Sequence, residues 1–310
     1  MNTYIIDAIR TPIGNFGGTL KDIRTDDLAA IPIRELVSRN KIDPTKINDV
    51  ILGCANQAGE DNRNIARMAL LLAGVPFSVP GETVNRLCAS GMSAIINAHR
   101  AIKAGDGDLF ISGGIENMTR GPWVISKVSK AFGRDAQMHD SSFGWRFINP
   151  KMKEIYGVDG MGTTAENLAE LYDISREDQD KFAFNSQQKA YKAQKSGRFS
   201  EEIVPISIPQ KKKDPILFEH DEFIKGNTSI EILSKLRTAF KKDGGTVTAG
   251  NASGLNDGAA AMLLASENGV TENNLNPIAK IVSSAVIGVE PRIMGIGPVE
   301  ASNLALKKAG

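Results

Sequence analysis

The stretch VNRLCASGMSAI, residues 84–95, puts a cysteine where an extended apolar segment stops and a small-residue helix starts. Glu82 to Leu87 has the character of a strand. Ala89 to Lys103 carries helical spacing on the face Met92, Ile95, Ile96, His99 and Ile102. Cys88 therefore falls at or just before a helix N-terminus, where unpaired backbone N–H groups and the positive end of the helix dipole stabilise a thiolate. The small residues Ala89-Ser90-Gly91 let a substrate carbonyl come close, and the Cys88 N–H is placed to donate to a developing oxyanion. Two readings stay open on these residues alone: a nucleophile, or a small buried structural thiol. Cys54 is the contrast. It ends a buried apolar strand with no helix start behind it, and reads as core or pocket lining.

Outward from that corner the first 118 residues alternate in type. Strands are expected at Tyr4–Ile9, Asn48–Cys54, Glu82–Leu87 and Leu109–Ser112. Helices are expected from Thr25 to about Val37, from Asn62 to Leu72 and from Ala89 to Lys103. This βαβαβ rhythm predicts an α/β fold with a mostly parallel sheet. From Thr119 to about Lys242 the rhythm breaks into polar, irregular sequence followed by two helices. One is expected to open at Thr163 with the capping box Thr163-Thr164-Ala165-Glu166, the other at Ser175. An insertion of this length between α/β elements is usually functional. The basic run at 211–214 reads as a solvated loop. After Gly244-Gly245 the rhythm returns, with strands expected at Ala259–Ala265 and Ile278–Ile287 and a helix from Val299 to Ala309. The division is thus 1–118, 119–245 and 246–310, the last supplying far fewer elements than the first. A second half matching the first needs about 100 further residues.

Composition bounds the function. The chain has 310 residues, with 41% hydrophobic and 24% charged content, which suits a water-soluble folded protein. Its net charge of +1 gives no ground for a nucleic-acid partner or an anionic membrane surface. No apolar run approaches the roughly 20 residues of a membrane span, and the N-terminus has no signal-peptide pattern. Two cysteines cannot by themselves make a disulfide framework or a zinc site, so no metal is expected; free thiols fit a reducing cytoplasm. A nucleophilic cysteine usually needs a base. Of the histidines, His99 lies roughly 16 Å along the helix from Cys88 at 1.5 Å per residue, and His139 and His220 sit in polar loop sequence without a catalytic motif.

The ordered set YIIDAIRTPIGNFGG (4–18), VNRLCASGMSAI, GGIENMTRGPW (113–123), MGTTAEN (161–167), KLRTAF (235–240) and VTAGNASGLNDGAAA (247–261) resembles the thiolase family over nearly the whole chain. The resemblance implies a layered αβαβα fold of two similar α/β halves with a loop domain inserted in the first. On that pattern the N-terminal half is complete and the C-terminal half is truncated. It implies that Cys88 is the acylated nucleophile, which attacks a 3-oxoacyl-CoA, releases an acyl-CoA product and passes its acyl group to CoA. CoA is then a substrate, and no cofactor is held permanently. Ala249, Ala252 and Ser253 match positions along the pantetheine of CoA. Phe240 matches a pocket residue, Met161 a residue beside the reacting acyl group, and Lys225 falls where a basic residue often stands near the nucleotide. The family is usually dimeric or tetrameric. A ketoacyl synthase of the same superfold is disfavoured, because that family lacks the 247–261 signature.

The segment SSFGWRFINPKMKEIYGVDGMGTTAEN (141–167) is similar to the β-ketoadipyl-CoA thiolases within the family. That implies 3-oxoadipyl-CoA as substrate, with succinyl-CoA and acetyl-CoA as products. A distal carboxylate makes an arginine near the acyl end chemically apt. Arg134 and Arg146 are the candidates, and loop-anchoring roles for both stay open. Gly160 departs from the acetoacetyl-type pattern, which commonly has histidine there. The family's Asn-Glu-Ala-Phe, Gly-His-Pro and Cys-x-Gly motifs do not occur in residues 1–310. Three expectations follow: a fragment of a longer enzyme, one piece completed by a complementing C-terminal chain, or a shortened relative acting as a CoA-binding or assembly module.

Overall fold

Strands whose side chains alternate between two apolar faces organise the molecule. The computed structural model describes residues 1–310. The chain opens with β1 (Thr3–Arg10), a short β2 (Gly14–Asn15), α1 (Thr25–Arg39), β3 (Asp49–Gly53), α2 (Ile65–Leu72), β4 (Gly81–Val84), α3 (Ser90–Ala104) and β5 (Leu109–Asn117). A hairpin of β6 (Trp123–Ile125) and β7 (Met138–Asp140) precedes α4 (Pro150–Tyr156), α5 (Met161–Leu171) and α6 (Arg176–Lys195). A second hairpin, β8 (Ile206–Gln210) and β9 (Lys213–Phe218), leads to α7 (Ile230–Ser234), β10 (Asn256–Ala265), α8 (Glu267–Glu272), β11 (Ala279–Ile281) and α9 (Gly297–Ala309). These elements form two units. The first contains Met1–Pro122, Gly197–Phe223 and Leu255–Val282; the second contains Trp123–Ser196, Ile224–Gly254 and Ser283–Gly310.

In the first unit the main sheet runs β11-β1-β10-β5-β3-β4, with β2 paired to β10. β3 is parallel to β4 and to β5, as the alternation predicts. β10 is antiparallel to both β1 and β5, and β11 is antiparallel to β1, so the sheet is mixed rather than mostly parallel. The reason is connectivity. β10 enters after the long excursion through the second unit rather than through a βαβ crossover, so no crossover dictates its direction. Val50, Leu52, Ile111 and Leu263 pack on one face with Leu28, Ile33 and Leu36 of α1 and Ile65 and Leu70 of α2. Ile51, Phe110 and Leu264 point the other way, onto Ala94, Ala98 and Ile102 of α3. Burying each such aliphatic side chain stabilises the fold by about 1.5–3 kcal/mol.

The helix expected from Thr25 to about Val37 forms as α1, with Pro32 inside it and buried. α3 differs from its sequence pattern. On α3 the buried face is Ser90, Ser93, Ala94, Ile96, Ala98, His99 and Ile102, while Met92 is exposed. Small residues, rather than the Met92/Ile95 edge, bring this helix close to the sheet. The strand expected over Ile278–Ile287 is only the three residues of β11. The basic run at 211–214 lies in the exposed turn and first residues of the β8–β9 hairpin.

In the second unit α5 starts at Met161 with Gly160 at its N-cap and no side-chain cap, so the capping box at Thr163 does not form. Its glutamate is engaged elsewhere: Glu166 accepts hydrogen bonds from Thr246 and Val247. Ser175 does cap α6, accepting from the Asp178 N–H.

Candidate active site

The Cys88 corner belongs to the first unit. After β4 the backbone turns sharply, with Leu87 at φ +49°, a region β-carbon-bearing residues seldom occupy. Three side-chain contacts hold the turn. Asn85 Oδ1 accepts from the Leu87 N–H at 2.8 Å, Ser90 Oγ accepts from the Arg86 N–H at 2.7 Å, and Ser90 Oγ donates to the Leu87 carbonyl at 2.6 Å. Ala89 takes the N-cap position of α3, so Cys88 stands one residue outside the helix. Its thiol is exposed. An exposed sulfur at the positive end of a 15-residue helix has the setting a nucleophile requires.

Behind the corner lies a second support. Asn85 Nδ2 donates to the Ala55 carbonyl at 2.9 Å, and Glu116, at the end of β5, accepts from the N–H groups of Ala55 (2.8 Å) and Asn56 (3.1 Å). The end of β5 thereby holds the loop after β3, and that loop holds the approach to Cys88. Close packing completes the arrangement. A Cβ on Gly53 would lie 2.2 Å from the Ser90 carbonyl carbon, so α3 begins in direct backbone contact with β3. Asn85 and Glu116 did not stand out in the sequence, and Ser90 was read only as a small residue leaving room for substrate, although Glu116 sits inside the GGIENMTRGPW motif and Asn85 and Ser90 flank the cysteine.

Cys54 is buried, as its strand context predicts, and its Sγ–H donates to the Asn56 carbonyl. Burial pushes its thiol pKa up, and the nearby Glu116 and Asp61 carboxylates add to the shift. Burial also raises Asp61, against backbone N–H donors that lower it. A raised acid binds its proton more tightly in the folded chain, so its contribution to stability falls as pH climbs from the ordinary carboxylate range through the raised value. Asp61→Asn removes that penalty. The variant is expected to gain stability relative to the parent as pH rises from about 4 to about 7, read from urea midpoints at several pH values. A difference that stays constant or reverses would sink this account.

The other candidate residues all belong to the second unit. Met161 opens α5 and is exposed. The Phe240 ring lies flat against the next residue, since a Cβ on Gly162 would sit 2.1 Å from its Cδ2. Phe240 is itself exposed. Ala249 and Ser253 are exposed on a turn whose interior is closed by the Ala252 N–H donating to the Thr248 carbonyl at 3.1 Å. Lys225 is exposed, and its backbone N–H donates to Gln187 Oε1 at 2.8 Å. Arg134 is exposed, whereas Arg146 is half-buried and donates to the Ser141 carbonyl at 3.0 Å, tying down its own loop. His139 stacks edge-on against Phe147 in the same region, and His220 is exposed in the first unit beside Glu219. His99 is buried with Nδ1 at 2.9 Å from Thr3 Oγ1, a structural pairing.

Residues 3–268 match the family model described as thiolase, N-terminal domain. The chain belongs to the thiolases. It is 56% identical over 308 residues to the 3-oxoadipyl-CoA/3-oxo-5,6-dehydrosuberyl-CoA thiolase of Escherichia coli K12, covering 99% of this chain and 77% of that protein. It is 53% identical over 309 residues to a β-ketoadipyl-CoA thiolase of Acinetobacter baylyi, with coverage of 99% and 77%. The solved structure of human mitochondrial 3-ketoacyl-CoA thiolase in complex with CoA superposes with a TM-score of 0.90 at 39% identity, covering 100% of this chain and 76% of that one. This thiolase is accordingly an acyltransferase by family, with the α/β fold of its relatives and CoA as a substrate. No helix of this thiolase is long and apolar enough to cross a membrane.

Proposed function

We propose that this thiolase cleaves 3-oxoadipyl-CoA with CoA, giving succinyl-CoA and acetyl-CoA through an acyl thioester on Cys88. The observation that carries the chemistry is the exposed Cys88 thiol one residue outside α3, on a turn fixed by Asn85 and Ser90. The Cys88 thiolate adds to the 3-oxo carbon. The bond between C2 and C3 breaks, the C2 carbanion takes a proton, and acetyl-CoA leaves. The succinyl group stays on sulfur until a second CoA, its thiol giving up a proton to solvent that balances the one taken by C2, displaces it as succinyl-CoA and regenerates the Cys88 thiolate. Similarity to relatives named for 3-oxoadipyl-CoA and β-ketoadipyl-CoA supports the dicarboxylic substrate.

In this reading Ala249, Ala252 and Ser253 line the pantetheine, Lys225 lies near the nucleotide, and Met161 and Phe240 border the acyl group. Arg134 or Arg146 meets the distal carboxylate; Arg146 is the better placed to stay fixed, because its loop bond to Ser141 restrains it. The residue ranges 1–118, 119–245 and 246–310 correspond to an N-terminal half, an inserted loop domain and the start of a C-terminal half. The enzyme is cytoplasmic and a homodimer or homotetramer.

The family pattern assigns proton transfer to a Gly-His-Pro histidine and a Cys-x-Gly cysteine, motifs that do not occur in residues 1–310. The second reading is a catalytically incomplete thiolase fragment or paralogue acting as a CoA-binding or assembly module. Thiolysis of 3-oxoadipyl-CoA and of an unbranched monocarboxylic 3-oxoacyl-CoA of equal length, each followed with free CoA, separates the possibilities. The first reading expects the dicarboxylic substrate to react at least about 10-fold faster. Faster cleavage of the monocarboxylic one overturns the substrate assignment. A folded chain with no turnover on either leaves the CoA-binding reading.

A further inference from the structure

Two carboxylates of the second unit are almost wholly buried, Glu166 at 4% and Asp180 at 2% exposure, and both point at the same short stretch, 246–251. Buried carboxylates are retained only where their oxygens are satisfied. Glu166, on α5, accepts from the Thr246 N–H at 2.9 Å, the Thr246 hydroxyl at 2.9 Å and the Val247 N–H at 2.8 Å. Asp180, on α6, accepts from Asn251 Nδ2 at 3.0 Å, and its other oxygen takes the Arg176 Nε–H at 2.8 Å. Arg176 in turn donates to the carbonyls of Leu233 (2.6 Å) and Leu236 (3.1 Å). Asn251 closes the loop on itself, accepting from the Thr248 N–H at 2.7 Å and donating to the Thr246 carbonyl at 3.0 Å.

The stretch held in this way has no helix or strand of its own. Both ends of its inner side are fixed to rigid helices by charge-assisted bonds, while Ala249 and Ser253 stay open to solvent on the outer side. A surface turn that needed only to connect β10 to the preceding segment would not require two buried charges to fix it. The thin amide chain of pantetheine, by contrast, can be read only by backbone groups whose positions are set beforehand.

We propose that Glu166 and the Asp180–Asn251 pair are positioning residues for CoA, a buried clamp that sets the 246–253 turn in its binding shape before CoA arrives. The inference rests on the reading that this turn lines the pantetheine.

The test is titration of CoA into the 310-residue chain, with the melting temperature recorded on the same samples. Asn251→Asp sets two carboxylates against each other and is expected to raise the Kd for CoA roughly 10-fold. Adding Asp180→Asn restores a donor facing an acceptor and should bring Kd at least about 3-fold back toward the parent value, a recovery that a general loss of structure would not show. Should Asn251→Asp not fold, Asp180→Asn alone decides. Its amide leaves a donor facing either Arg176 or Asn251, and a rise in Kd of about 3-fold or more supports the clamp. Unchanged CoA binding in a folded variant overturns the clamp alone. A parent chain that binds no CoA overturns the clamp together with the reading it rests on.

Discussion

Cys88→Ala is expected to abolish acylation of the chain by 3-oxoadipyl-CoA. The thiol at 88 is exposed and lies outside the N-terminus of α3, while the other thiol, Cys54, is buried and held in its protonated form by burial and by the neighbouring carboxylates Glu116 and Asp61. Cys54 therefore cannot stand in. Loss of the nucleophile in a covalent mechanism costs roughly 10⁴-fold or more in rate. Intact-chain mass spectrometry after incubation with substrate provides the reading, with digestion to locate the label. A single succinyl group on Cys88, absent from the alanine variant, is the expected result. A label that persists in the variant, or that maps to another residue, removes Cys88 from the mechanism. The side chain at 88 makes none of the bonds that hold the turn, which run through Asn85, Arg86, Leu87 and Ser90. The alanine variant should thus fold as the parent does.

Gly53→Ala should destabilise the first unit by about 3 kcal/mol and take acylation down with it. The added methyl would lie 2.2 Å from the Ser90 carbonyl carbon and 2.3 Å from the Gly91 nitrogen. Both are backbone atoms of the first turn of α3, so no side chain can swing aside to make room. The helix must lift from the end of β3, and the Cys88 corner moves with it. Gly288→Ala is the comparison, since nothing lies within 4 Å of its would-be Cβ; it should change stability by no more than about 0.5 kcal/mol. Urea midpoints of the two variants against the parent decide the matter. Equal midpoints would mean that the contact between β3 and α3 is looser than the geometry states.

The corner at Cys88 was legible because its signal is local: an extended apolar run gives way within a few residues to alanine, serine and glycine. What makes the corner rigid was not legible. The positive φ of Leu87 has no signature in a leucine, and the bonds from Ser90 and Asn85 depend on a turn that becomes definite only in three dimensions. Glu166 shows the same limit from the other side. Its spacing from Thr163 is that of a capping box, yet its carboxylate binds Thr246 and Val247, some 80 residues on. A local pattern lost to a distant partner offering three donors. α1 is the opposite case: the helix expected from Thr25 to about Val37 forms with Pro32 inside it, and Leu28, Ile33 and Leu36 are all held in the core. The position of β10 between β1 and β5 was the least legible feature. Nothing in residues 256–265 specifies which earlier strands they join, since the partners lie more than 100 residues back.

That placement has a consequence for synthesis. The ladder partners of β1 are β10 and β11, and neither exists until residue 256 has been made. At about 5–20 residues per second, residues 3–10 spend roughly 12–50 s on the ribosome with both backbone edges unpaired. β5 waits for the same strand on one side, although β3 already covers the other. Through that interval a free strand rich in isoleucine is open to pairing with any other extended chain nearby. The yield of folded protein from a cell then depends on shielding residues 3–10 until residues 256–265 have emerged, however stable the finished sheet is.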